Sequence, residues 1–219
     1  MSLQLSLPLR SIGRFVLVLL LANVALVSRS VPVHAQDRIT IESAAAMKAA
    51  FLVDLERMRN KFIGLAEAFP QDKYTWRPMD GVRSVSEVLM LIASEGYGFA
   101  PTAFGGQSAL RRAESGELNA VDNEAQAVDH LNFREDSRQY GSAVIDKEEV
   151  IDHLTKGFAH ALEEIKEIDP RTLVGTRTFY RRDRSMPELV IFVAADMHEH
   201  LGQLIAYARV NQIAPPWSR

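Results

Sequence analysis

Residues 51–69 read FLVDLERMRNKFIGLAEAF, and Pro70 follows. Phe51, Leu55, Met58, Phe62, Leu65 and Phe69 recur at steps of four and three, which places them on one stripe of an α-helix. The pattern reaches back to about Ile41, and Pro70, with no N–H and a fixed φ, ends it. The same period returns three times. Ser84 and Glu87 have the spacing of a capping box, and Val85, Val88, Leu89, Ile92 and Phe99 follow as an apolar face, with Pro101 near its end. A third helix begins after Asp146, with Glu149 three residues on. Its face is Val150, Ile151, Leu154, Phe158, Ala161, Leu162 and Ile165, and Asp169-Pro170 stops it. A fourth starts near Ser185-Met186-Pro187, where proline suits a first turn, and runs to about Asn211 before Pro215-Pro216. No alternating strand pattern of comparable length competes. These stripes predict an all-α four-helix bundle, with residues 104–145 as a long crossover between the second and third helices. A short helix over about 122–133 is expected to interrupt that segment, because forty structureless residues inside a domain are unusual.

The chain has 219 residues, 47% of them hydrophobic and 24% charged, with no cysteine and a formal net charge of −3. That length suits one domain with its own core. Zero cysteine excludes disulfide scaffolds, thiolate zinc sites, iron–sulfur clusters and cysteine nucleophiles. The near-neutral balance argues against a nucleic-acid partner, which calls for a basic face. A mean hydropathy near zero argues against a polytopic membrane protein.

Residues 1–35 read as a secretory signal. Arg10 and Arg14 precede an apolar run from Phe15 to Val27, and Val33-His34-Ala35 offers a cleavage site before Gln36. The run is shorter than the ~20 residues a spanning helix needs, so no stable membrane span is expected after cleavage. Without the three arginines of this segment the remaining 184 residues carry 22 basic and 28 acidic groups, a net charge of −6. The domain then covers 36–219, and the protein is expected outside the cytoplasm, periplasmic or secreted.

Six histidines are the first candidates for chemistry. His34 leaves with the signal, and His130 has no partner at helical spacing. His153 and His160 lie off the apolar stripe of the third helix, about 10 Å apart along it, and read as solvated. His198 and His200 are two apart and so diverge by about 200° on a helix, which keeps them from sharing an ion. His200 pairs instead with Asp196 at i, i+4, on a stripe with Leu189, Val193, Gln203 and Tyr207. A carboxylate and an imidazole facing inward make either a metal site or a simple Asp–His hydrogen bond.

Phe69-Pro70-Gln71-Asp72-Lys73-Tyr74-Thr75-Trp76-Arg77-Pro78, Arg83-Ser84-Val85-Ser86-Glu87-Val88, His200-Leu201-Gly202-Gln203-Leu204, Tyr207-Ala208-Arg209 and the tail Ile213–Ser218 stand in a telling order. Together they resemble the DinB-like proteins, four-helix bundles whose relatives include bacillithiol and mycothiol transferases. The resemblance covers roughly 41–218. It implies a divalent metal on three histidines, one from the second helix and an HxxxH pair on the fourth. Carried over, His200 matches the last of these, Asp196 stands where the pair's first histidine is expected, and Leu91 occupies the second-helix position.

Two readings follow. In one the family site is degenerate, and the protein is an exported, non-catalytic or binding bundle in which Asp196, His200 and Glu95 form a buried polar cluster. The loss at Leu91 weighs toward this reading. In the other, Glu95, one turn beyond Leu91, rebuilds the site with Asp196 and His200, as in a divalent-metal-dependent hydrolase or thiol transferase. Its ion would be manganese, nickel, zinc or iron, with two carboxylates favouring the harder ones. Tyr97, Phe99, Tyr207 and Trp217 could line an apolar pocket for a small molecule, and pairing of helix faces would make a homodimer. Arg177, Arg181, Arg182 and Arg184 read as a solvated loop, and no nucleophilic triad, phosphate loop or dinucleotide fingerprint is present. Terminal sequencing of protein from the native host is expected to start at Gln36; an intact 1–35 segment in the membrane fraction contradicts the signal reading.

Overall fold

The computed structural model describes residues 39–109 and 145–218. Residues 1–35, expected to be a signal, the short helix expected near 122–133 and His130 lie outside them. The described residues are mostly helical, in four long stretches: α1 (Ile41–Ala68), α2 (beginning Val85–Ser94), α3 (Lys147–Glu167) and α4 (Met186–Val210). α2 does not continue as regular α-helix. It passes through a π turn at Glu95–Phe99 into a last stretch, Ala100–Phe104, closed by Gly105 at φ 88°. Pro101, which has no N–H to give, sits in that last stretch just after the widened turn.

Local chemistry starts each helix. Thr40 with Ser43, Ser84 with Glu87 and Ser185 with Glu188 form capping boxes, and the Asp146 carboxylate accepts from Glu149 N–H. The segment between α1 and α2 supplies further acceptors. The Val85 and Ser86 N–H groups donate to the Trp76 and Tyr74 carbonyls at 3.1 and 2.9 Å, so the first turn of α2 is satisfied. The Tyr74 hydroxyl, buried, donates to Ala66 O at 2.8 Å and ties this segment back to α1.

α1 packs on α3 and α4, and α2 packs on the same two, most extensively on α3. α1 and α3 run antiparallel and cap one another. Lys48, near the start of α1, donates to the Lys166 and Ile168 carbonyls, and Lys147, at the start of α3, donates to those of Glu67 and Phe69. A cation at the carbonyl end of a helix satisfies orphan acceptors and opposes the helix dipole. Between the helices lie Phe51, Leu55, Met58, Phe62, Val88, Leu89, Ile92, Leu154, Phe158, Val193, Met197 and Leu204, all buried. α4 is long and apolar enough to cross a membrane by length and composition. Its buried stripe, Leu189, Val193, Met197, Leu201 and Leu204, packs into this core instead.

Two expectations need correction. The region of Arg177–Arg184 is not a plain loop. It is an antiparallel hairpin of β1 (Thr176–Phe179) and β2 (Arg182–Ser185), in the register Thr176↔Ser185 to Phe179↔Arg182. Its strands are four residues each, too short for alternation to show, and its turn residues Tyr180 and Arg181 have φ of 50° and 60°. Such turns usually carry asparagine or glycine, so the usual signal is missing. His153 is the second correction: it is buried, not solvated.

α2 and α3 meet backbone to backbone. A Cβ at Gly96 would stand 2.5 Å from Gly157 C, and one at Gly157 would stand 2.5 Å from Ala93 O. Gly202 on α4, by contrast, is open, with nothing within 4 Å of an added Cβ. In a helix interior alanine gains about 1 kcal/mol over glycine. At Gly157 the obstacle is a carbonyl rather than a flexible side chain, and overpacking costs about 1–3 kcal/mol or more. Thermal unfolding is therefore expected to show Gly157→Ala melting below the parent and Gly202→Ala melting a few degrees above it, at roughly 2–4 °C per kcal/mol. A Gly157→Ala protein that melts higher than the parent contradicts the close approach.

Candidate metal centre

Glu95, Asp196 and His200 come together. Each offers one ligand atom, and the three atoms lie within 4.8 Å of one another. Glu95 is 2% exposed, while Asp196 and His200 are half-buried. Glu95 opens the π turn of α2, and the other two stand one turn apart on α4, so two different helices supply the set. Oxygen and nitrogen donors at about 2.0–2.3 Å from a shared ion stand roughly 3–4.5 Å from each other, which this spacing accommodates. Without a cation or a shared proton, two carboxylates this close repel.

Among the described residues no hydrogen bond joins Asp196 to His200, so the simple Asp–His pair is not what the fold builds. The imidazole Nδ1 of His200 lies 3.0 Å from Gln203 Oε1. The Gln203 amide donates to the Tyr207 hydroxyl at 2.7 Å, and that hydroxyl donates to Arg83 O at 3.0 Å. Trp76 stands edge-on to Tyr207, with ring centroids 5.3 Å apart. Burial raises the Tyr207 hydroxyl above its ordinary pKa, so it keeps its proton at neutral pH. The stripe Asp196, His200, Gln203 and Tyr207 was visible in the sequence; that its polar members join in a chain was not.

Leu91, the position where the resemblance places a histidine, is buried at 3% exposure and has no ligand atom to give. Glu95 is the α2 member of the set in its stead. His198 faces away, as its spacing required, and its Nε2 lies 2.8 Å from Asp54 Oδ2 on α1. His160 Nε2 lies 3.1 Å from Gln107 O, and its ring faces Tyr97. The aromatics considered for a shared pocket are dispersed. Trp217 sits by Lys61, Tyr207 meets Trp76, and Phe99 joins Phe179, Tyr180 and Phe192. A pocket of about 410 Å³ does lie along the outer side of α4, lined by Arg184, Glu188, Ile191, Phe192, Ala195, Asp196 and Glu199. Asp196 thus borders both the convergent set and a solvent-reachable space. The Arg184 guanidinium rests over the Phe192 ring, 4.3 Å from its centroid, at the edge of that space.

No curated protein and no solved structure matches this chain. A family model does, that of the DinB superfamily, over residues 54–204. That span takes in all three convergent residues and the caps of α2, α3 and α4, and it shows that the chain belongs to the DinB superfamily.

Proposed function

We propose that this protein binds one divalent cation through Glu95, Asp196 and His200, on an exported four-helix bundle of the DinB type that begins at Gln36. The observation that carries the reading is the convergence of three ligand atoms from two helices within 4.8 Å. It favours the rebuilt site over a degenerate one, because Glu95 compensates for the ligand absent at Leu91. Three protein ligands leave coordination positions open, the arrangement of catalytic rather than structural centres. When bound there, a divalent ion acts as a Lewis acid toward a water or a substrate oxygen. The chain's own residues set the terms. Two carboxylates neutralise the ion's charge, and the Asp196 side borders the pocket through which a small molecule would arrive. Relative to a three-imidazole site, two oxygen donors narrow the preference for zinc and nickel over manganese and iron. The reaction class this supports is metal-assisted hydrolysis or group transfer on a small molecule.

Calorimetric titration of the mature chain with manganese, nickel and zinc tests it. One ion per chain is expected, with binding lost in Asp196→Ala and in Glu95→Gln. Leu91→His adds a nitrogen and is expected to raise zinc and nickel affinity more than manganese affinity. No binding by the parent chain, with binding gained only in Leu91→His, overturns the proposal in favour of a degenerate site.

A further inference from the structure

We infer that Gln203 and Tyr207 are positioning residues that hold the His200 imidazole as a single tautomer, proton on Nδ1 and lone pair on Nε2. The functional consequence rests on the metal reading above; the tautomer itself rests on hydrogen bonds alone.

The direction of each bond follows from the one before it. The Arg83 carbonyl can only accept, so the Tyr207 hydroxyl, 3.0 Å away, gives it its one proton. Toward Gln203 at 2.7 Å the same hydroxyl must then accept, which turns the amide NH₂ of Gln203 to Tyr207. The other end of that amide, Oε1, is left facing His200 Nδ1 at 3.0 Å. An amide oxygen can only accept, so Nδ1 carries the hydrogen. A neutral imidazole has one N–H, and its lone pair is therefore on Nε2, the nitrogen that the Gln203 contact leaves for a cation.

The anchor of this chain is a backbone atom, which cannot rotate away. Arg83 immediately precedes Ser84, the cap of α2, and α2 is the helix that leads to Glu95. The histidine of α4 is thus oriented against the element that brings its co-ligand. If Tyr207 loses its hydroxyl, nothing in the chain dictates which end of the Gln203 amide faces His200. The NH₂ end would select the opposite tautomer, with a proton on Nε2 where a ligand lone pair is needed. Hydrogen-bond partners of this kind typically govern metal affinity by 10–100-fold.

The experiment pairs two readouts on the mature chain. Two-bond ¹H–¹⁵N NMR of the metal-free protein at mildly alkaline pH reads the His200 tautomer, and manganese titration reads affinity. Tyr207→Phe keeps the ring and its contact with Trp76, so the core is retained. It is expected to mix the tautomers and weaken manganese binding about tenfold or more. Gln203→Glu presents an acceptor to Nδ1 whichever way it turns. It is expected to keep the Nδ1–H tautomer and the affinity to within a few-fold. In that background Tyr207→Phe is expected to cost little. A purely structural role for Tyr207 predicts the same loss in both backgrounds, and that outcome overturns the inference. An Nε2–H tautomer in the parent chain overturns it as well, as does a tautomer unmoved by Tyr207→Phe. A parent chain that binds no manganese but shows Nδ1–H, lost in Tyr207→Phe, defeats the metal reading and upholds this one.

Discussion

The carbonyl of Gly157 lies where a side chain at residue 96 would begin, and the carbonyl of Ala93 lies where one at residue 157 would begin. This contact brings α2 and α3 closer than any pair of larger residues permits, and much of the rest follows. Glu95 is the neighbour of Gly96, so the approach that removes side chains at 96 and 157 also sets Glu95 in a nearly solvent-free position. α2 widens into its π turn at the same place. Single-turn π segments recur at functional sites because they displace a few side chains from the regular helical phase. A regular α-helix through Pro101 would have had no proline N–H to close its turn, and the wide turn just before it absorbs that defect.

The same economy holds at the helix ends. Lys48 and Lys147 each leave the first part of one helix and satisfy the last carbonyls of the other, so the antiparallel pair α1 and α3 is locked at both ends. The segment between α1 and α2 also works as a cap. Its Tyr74 and Trp76 carbonyls take the first N–H groups of α2, and Arg77 reaches the Glu87 carboxylate at 3.1 Å. Those contacts hold Arg83 in place, and its carbonyl is the fixed end of the polar chain that reaches His200. A motif far from the convergent residues is in this way coupled to their geometry.

Charge explains why the site has the composition it has. A cluster of two carboxylates and one imidazole is unfavourable when empty and becomes favourable around a divalent ion, which cancels the repulsion between the acids. In the proposed metal reading, Glu95 on α2 joins Asp196 and His200 on α4 as three donors, two of them carboxylates, which are harder than the three imidazoles that the resemblance implies. The hairpin, with its own Phe179 and Tyr180 against Phe99 and Phe192, packs beside this region, and Arg184, near the end of the hairpin, leans over Phe192 toward the pocket that Asp196 borders.

Helices were legible because their information is local. A stripe at 3.6 residues and a cap three residues from its partner can be counted along the chain, and Ser84 with Glu87 and Asp146 with Glu149 stand as the spacing required. Asp196, His200, Gln203 and Tyr207 shared a face for the same reason, and His198 was kept from them by its phase. Glu95 was reachable as a candidate because it sits one turn past Leu91. Whether its carboxylate met the α4 pair was a distance between helices, which no one-dimensional pattern contains. The hairpin was missed because two positive-φ positions are filled by Tyr180 and Arg181 instead of the residues that mark such turns. His153 was misread because it stands one turn before Gly157, on the flank that the close approach of α2 covers. A helical wheel assigns exposure from the apolar stripe of one helix. Only the tertiary structure decides how near the next backbone comes, since that depends on the absence of a side chain on each of two helices at once.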